Sequence, residues 1–502
     1  MRKLILYSFI VLSFIMLNFL KSISQINSEI LMPSPSDPII SFRIWFKVGS
    51  VNDPVGKEGL AALTANLMVD GSTSKNKYEV IVDKLYPMAS SYNSKTDKEM
   101  TVVYGKTHYD NLEDFYKLFI DAIIHPAFNN DDFIRVKKQY INYIEKNLRY
   151  SSDEELAKAV LSNFIFEGTE YSHLASGTVA SLNAITLEDV KNFYKTYFNK
   201  NNYQIGLAGN FEEKLNEKIK KDLSQLSDGS INGLALSQPK KINGCEYLFV
   251  EKNNDATAIS FGFPIEILRN SKDFAALWLF NSWFGEHRNQ SSHLYQVIRE
   301  KRGMNYGDYS YIETFLNGGR LEVPQPNNPR HHQIFEVWIR PVKHEHRHFA
   351  LRAALRELHT VVENGITKSD FEQTQKFLYK YILHYAPTSM IRLGYQIDSR
   401  FYGVEDNGDY IEYLRKNIAA LTLEDVNNSI KKYIQFENIK FAIVTKDSKK
   451  FAKDLIDNTV SPVTYSTPKP IEVLEEDKII ENFKIKTDIT KIKIVEVEEM
   501  FK

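Results

Sequence analysis

Two stretches of this chain repeat one another. Residues 185–210 read ITLEDVKNFYKTYFNKNNYQIGLAGN, and residues 421–447 read LTLEDVNNSIKKYIQFENIKFAIVTKD. Each opens on [Ile/Leu]-Thr-Leu-Glu-Asp-Val, continues with amphipathic helical spacing and ends in a β-rich run. Thr186 and Thr422 suit N-caps, with Asp189 and Asp425 three residues on in a box-like arrangement. The offset is 236 residues (421 minus 185), and other segments recur near it. Asp132-Phe133 and Asp370-Phe371 each open a helix, and residues 39–48 have a loose counterpart in 256–268. Chance agreement of one hexapeptide is the competing explanation; several elements sharing a period favour internal duplication of an α+β domain. The halves fall at about 25–244 and 245–460, joined through a Gly/Ser-containing linker at 227–240. A tail, 461–502, alternates from 483 to 497 and reads as a strand packing back on a domain.

Within the first half, 39–50 reads as a strand, 59–69 as a short helix closed by Asp70-Gly71, and Tyr78–Leu85 as a second helix. A strand is expected at 98–105, and helices at 111–124, 131–148 and 153–166. Hydrophobic residues make up 43% of the chain, enough for large cores. With 63 basic against 64 acidic residues, nothing points to nucleic acid. The one cysteine, Cys245, excludes an intramolecular disulfide and a Cys-based zinc site. Arg2, Lys3, the apolar run 4–20 and Ser22-Ile23-Ser24 before Gln25 read as a secretory signal over 1–24; a retained anchor is the rival. With no cysteine near the cleavage point, a lipoprotein is not expected. The mature chain is then exported, off the membrane, and suited to a bacterial periplasm.

The stretch 293–311, HLYQVIREKRGMNYGDYSY, places Arg299 seven residues before Tyr306. A guanidinium offers a rigid fork to carbonyls or carboxylates, and a phenol donates to an oxyanion. On spacing alone a surface Arg and a half-buried Tyr is the better account of the pair. His344, His346 and His348 open a helix, so three imidazoles do not share one face. His331 and His332 are adjacent and point apart. No G-x-S-x-G or Walker-type loop occurs, and 401–409 lacks EF-hand spacing.

The duplicated halves, the strand followed by GLAALTANLM, the DKEMTV run at 97–102, both LTLEDV-type segments and REKRGMNYG together resemble the pitrilysin/insulinase family of metallopeptidases over nearly the whole mature chain. The resemblance implies two homologous α+β domains arranged as a clamshell around a peptide. It also implies that the helix at 59–69 corresponds to the one bearing the family's H-x-x-E-H zinc motif. The matching positions here are Ala62, Ala65 and Asn66, and none can serve as that motif's ligand or base. A third family ligand, a Glu, falls in the helix at 131–148, where Glu145 is the deep carboxylate but has no His partners. The Arg-x6-Tyr pair of the family's second half matches Arg299 and Tyr306. The expectation is a non-zinc subunit of a heterodimeric peptidase: no metal on this chain, zinc on a partner paralogue, a peptide as substrate. The alternatives are a stand-alone peptide-binding scaffold and, against the motif, an active zinc peptidase.

Overall fold

The computed structural model describes residues 29–230, 235–316, 318 and 321–502. The segment read as a secretory signal lies outside these residues. Strands β1 (Ile30–Pro33), β2 (Ile39–Phe46), β3 (Ser91–Thr96), β4 (Thr101–His108) and β5 (Tyr203–Gly209) form one sheet in the order β1-β5-β2-β4-β3. Strands β6 (Cys245–Glu251), β7 (Ala256–Ile265), β8 (Asp308–Tyr311), β9 (Gln333–Lys343), β10 (Ile439–Thr445) and β11 (Ile492–Glu496) form a second, β11-β6-β10-β7-β9-β8. Without β11 the two orders correspond strand for strand. Among these corresponding strands only the pairs β1/β5 and β6/β10 are parallel, and the extra strand β11 adds a parallel pairing with β6.

The helices of the first half are α1 (Leu60–Val69), α2 (Tyr78–Leu85), α3 (Leu112–Ile124), α4 (Asn130–Asn142), α5 (Asp153–Ile165), α6 (Val179–Ala184), α7 (Leu187–Tyr197) and α8 (Glu213–Leu223). Those of the second are α9 (Phe274–Gly285), α10 (Arg347–Asn364), α11 (Lys368–Tyr381), α12 (Ser389–Phe401), α13 (Tyr410–Ala420), α14 (Leu423–Tyr433) and α15 (Ser448–Ile456), followed by α16 (Ile471–Ile480) in the tail. The repeated sequence forms α7-β5 and α14-β10. Thr186 Oγ1 accepts from Asp189 N at 3.2 Å while Asp189 Oδ2 accepts from Thr186 N at 2.7 Å. Thr422 and Asp425 do the same at 3.2 and 2.8 Å, so both helices start on a closed capping box.

Each half lends a helix to the other. Helix α5 lies across β7, β9 and β10, where Leu156, Val160 and Leu161 join one apolar cluster with Val250, Ala258 and Val444. Its counterpart α12, 236 residues on (389 minus 153), lies across β1, β2 and β5, with Leu393 and Ile397 against Ile30, Val102 and Ala208. Gly206 permits this approach: a Cβ there would meet Leu393 Cδ1 at 3.1 Å and Ile397 Cδ1 at 3.2 Å. Both faces of each sheet are therefore covered, which accounts for β10 being buried at every residue, Lys440 and Thr445 included.

Four local expectations need correction. The strand expected at 98–105 begins at Thr101, because Asp97–Glu99 form the tight connection from β3. Strand β3, SYNSKT, has few β-branched residues and gave no pattern to read. Helix α4 ends at Asn142 and continues as a π-helical turn, Tyr143–Ser151. Within 293–311 a strand forms only from Asp308, leaving Tyr306 on the preceding turn. Among the described residues no helix is long and apolar enough to cross a membrane.

Candidate functional site

The halves enclose a cavity of about 550 Å³. Its first-half wall comes from α1, β3 and the segments around Tyr140, Lys158 and His173; its second-half wall comes from Glu313–Leu316, Arg330, Ile334 and Glu336. Helix α1 enters it because Asp53, on the preceding turn, accepts from Gly59 N and Ala61 N, each at 2.7 Å, and so fixes the helix start. Gly59 takes φ 95°, a backbone open to glycine, with its Cα side packed on Ser176 and Gly177.

Ala62 and Asn66 reach the cavity, whereas Ala65 is wholly buried in the core. Tyr140 of α4 closes over them. Its hydroxyl donates to Ala62 O at 3.2 Å and accepts from Asn66 Nδ2 at 3.3 Å. Burial pushes the Tyr140 phenol up to about 12, so it stays protonated. Glu145 sits half-buried in the π-helical turn and does not line the cavity.

Arg299 and Tyr306 come together, but elsewhere. Arg299 is on the π-helical turn Tyr295–Glu300, its guanidinium carbon 5.9 Å from the centroid of the Tyr306 ring. Tyr306 is 76% exposed. It stands on a turn bounded by Gly303 (φ 69°) and Gly307 (φ 139°), a conformation that only glycine takes readily at both ends. Neither residue lines the cavity that holds Ala62 and Asn66.

The cavity carries charge that pattern reading missed. Asp97, between β3 and β4, receives a two-pronged pair from Arg330: Nε to Oδ2 and Nη2 to Oδ1, both 2.7 Å. Burial alone would raise the Asp97 carboxyl, but Arg330, Lys98 and Lys95 outweigh it and hold it below the usual range. Lys98 is 3% exposed and donates to His173 O. Burial, reinforced by Arg330, pushes its ammonium down to about 7. Lys95 donates to Pro326 O at 2.8 Å, and burial lowers it to about 8. Lys158 donates to Phe315 O and lies 4.6 Å from the Trp338 ring. Burial raises the Glu336 carboxyl to about 7. The signal available in the sequence was Lys158 itself, a charge inside the apolar run LAKAVL.

Comparison with known proteins bears on the family and the fold. Residues 30–176 match the Insulinase (Peptidase family M16) family, and residues 184–378 match the Peptidase M16 inactive domain. A Helicobacter pylori protein named "Non-peptidase homolog YmxG" is 24% identical over 431 residues, 82% of this chain and 90% of its own length. The same organism's "Zinc protease PqqE" is 22% identical over 304 residues, 57% of this chain and 66% of its own. A Peptidase M16 inactive domain structure from Pseudomonas fluorescens superposes with a TM-score of 0.71 at 21% identity, covering 83% of this chain and 94% of that one. The fold is that of two-domain M16 peptidases, and this chain belongs to the insulinase family, peptidase family M16.

The family's zinc does not fit the residues at its place. Two methyl groups and a carboxamide hydrogen-bonded to Tyr140 face the cavity or the core there. Among the described residues no group of three or more His, Cys, Asp or Glu converges on a point.

Proposed function

We propose that this chain is a noncatalytic, substrate-positioning subunit of a zinc peptidase whose metal sits on a paralogous partner. The observation that carries the reading is the division of parts on one fold. The motif helix is stripped at Ala62, Ala65 and Asn66, while half-buried Arg299 stands beside Tyr306 on an exposed turn. A pair held outside its own chain's cavity suits action on a peptide shared with a second subunit. In that setting Arg299 would hold the scissile carbonyl and the Tyr306 hydroxyl would donate to the oxyanion. Edge strands β3 and β8 leave one side unpaired in each sheet, where an extended peptide can add a strand. The existence in one organism of relatives named for a zinc protease and for a non-peptidase supports such pairing. Export to a periplasm belongs to this proposal and rests on the sequence of residues 1–24.

The test is reconstitution with an H-x-x-E-H paralogue from the same genome and measurement of peptide turnover. Tyr306→Phe should lower kcat by about 100-fold with little change in KM. An unaltered kcat in an active complex overturns the assignment. A second reading, a stand-alone peptide receptor, is favoured by the cavity itself, complete within one chain. It predicts peptide binding by the purified chain and no gain of activity with any paralogue.

A further inference from the structure

The inter-half cavity has an electrostatic property that the Arg299–Tyr306 surface does not share. Three lysines line it, Lys95, Lys98 and Lys158, and each spends a proton on a backbone carbonyl: Pro326 O, His173 O and Phe315 O. None of the three has a carboxylate within ion-pair distance among the described residues. An ammonium has three protons to donate, so each keeps unused donors. Lys98 and Lys158 are 3% and 8% exposed, which removes water as a full substitute.

The carboxylates of the same wall do not cancel this charge. Asp97 gives its direct contacts to Arg330 and reaches Lys98 and Lys95 only through space, and Glu313 receives Arg269 Nε at 3.0 Å. Burial raises the Glu336 carboxyl to about 7, so it carries only part of a negative charge near neutral pH. Glu155, the remaining carboxylate of the lining, is not free either. Burying an ammonium without a counterion is costly, and chains keep such groups where a ligand supplies the counter-charge. Apolar and hydroxyl side chains share the wall: Leu148, Phe315 and Ile334 with Thr96, Ser162 and Ser176. That mixture, in a volume of about 550 Å³, suits a short peptide segment better than a bare inorganic anion.

We propose that this cavity is a carboxylate-binding site for a peptide, with Lys98 and Lys158 as its anchoring cations and Lys95 at its edge-strand side. The carboxylate is that of a glutamate or aspartate side chain or of the peptide's C-terminus. The proposal deepens the reading of this chain as a peptide-positioning protein and rests on it. It assigns preference for acidic peptides to a place separate from Arg299 and Tyr306.

The experiment is calorimetric titration of the full chain with four pentapeptides: one glutamate or its glutamine counterpart, each with a free or an amidated C-terminus. A carboxylate should tighten binding about tenfold over the doubly uncharged peptide. The glutamate–amide and glutamine–acid peptides identify which carboxylate is used. Lys98→Met and, separately, Lys158→Met should abolish the difference and leave the weaker binding of the uncharged peptide in place. Thermal unfolding of both variants checks that they are folded. Equal affinity across all four peptides overturns the carboxylate site and leaves peptide binding intact. Retention of the acidic preference in both variants overturns the lysine assignment. Failure of every peptide to bind overturns the peptide reading with it.

Discussion

Arg330 and Asp97 join the two halves through one fully buried, two-pronged ion pair, both contacts 2.7 Å. The two residues are 233 apart in sequence, and their side chains are 4% and 2% exposed. Removing one partner leaves the other charged and dry, which costs about 3–5 kcal/mol. Asp97→Asn and Arg330→Met should each lower the urea midpoint by that measure. The double variant Asp97→Leu/Arg330→Met should lose less than either single change, because no orphaned charge remains. A double variant as unstable as the sum of the singles removes this account. Asp97 is held below its ordinary range by Arg330, so its contribution is full at neutral pH and fades as pH falls below about 4.

Lys98 also makes stability rise with pH, but in a higher window and by relief of a penalty. Its folded-state value is about 7, against about 10.4 for an unfolded lysine. Below pH 7 both states hold the proton, and the folded state bears the whole penalty of the buried charge. Between there and about pH 10 the unfolded state binds more protons, so stability rises with pH. Lys98→Met removes the penalty. The variant should be more stable than the parent by about 2 kcal/mol near pH 6.5, with the gap closing toward pH 10. Urea unfolding at several pH values reads this directly. A gap that widens with pH would contradict a burial penalty that outweighs the pull of Asp97 and Asp53.

Restoring the motif should not restore a metal site. Ala62→His and Asn66→His would place two imidazoles one turn apart, yet Tyr140 occupies the space above them and, among the described residues, no cluster of His, Cys, Asp or Glu is gathered to complete a site. Ala65→Glu would put a carboxylate at a position with no exposed surface. The triple variant should fold less stably by about 2 kcal/mol or more and purify with far less than one zinc per chain. Metal analysis after dialysis against zinc is the measurement. Stoichiometric zinc in the triple variant would show that the cleft is a metal site in all but two or three side chains.

The duplication was legible because it is carried by local chemistry: a capping threonine, its aspartate and the 3.6-residue spacing that follows. The parallel-antiparallel order of each sheet is consistent with it but not readable from it. The exchange of α5 and α12 between halves left no mark, since an apolar helix face looks the same whichever sheet it covers. Ala62 and Asn66 were placed on the cavity wall by position in a known motif, and Tyr140, their actual partner, carried no pattern. Lys95, Lys98 and Arg330 were invisible for the same reason. A charged residue in a hairpin reads as solvated, and only the closing of the second half makes it buried.

The tail acts as a strap, and its last residues can be tested apart from its strand. After α16, β11 pairs in parallel with β6, and the chain returns to the first half. There Phe501 O accepts from Val179 N at 3.1 Å, and Met500 O accepts from Arg149 Nε at 2.7 Å. Val497 and Phe501 are 3% and 7% exposed, packed into the first-half core. The contact of Glu498 with the Tyr150 hydroxyl, at 2.9 Å, is exposed. Deleting 497–502 therefore exposes two apolar side chains and strips the carbonyl from the buried Arg149. It should cost about 3–6 kcal/mol, at about 1.5–3 kcal/mol for each side chain. Glu498→Gln should stay within about 0.5 kcal/mol, as exposed contacts do. Limited proteolysis locates the effect: the truncated chain should be cut first within 143–179, next to the cavity wall at Leu148 and His173. Cleavage that begins instead in the second-half sheet would mean that the strap holds β11 in place rather than the joint between the halves.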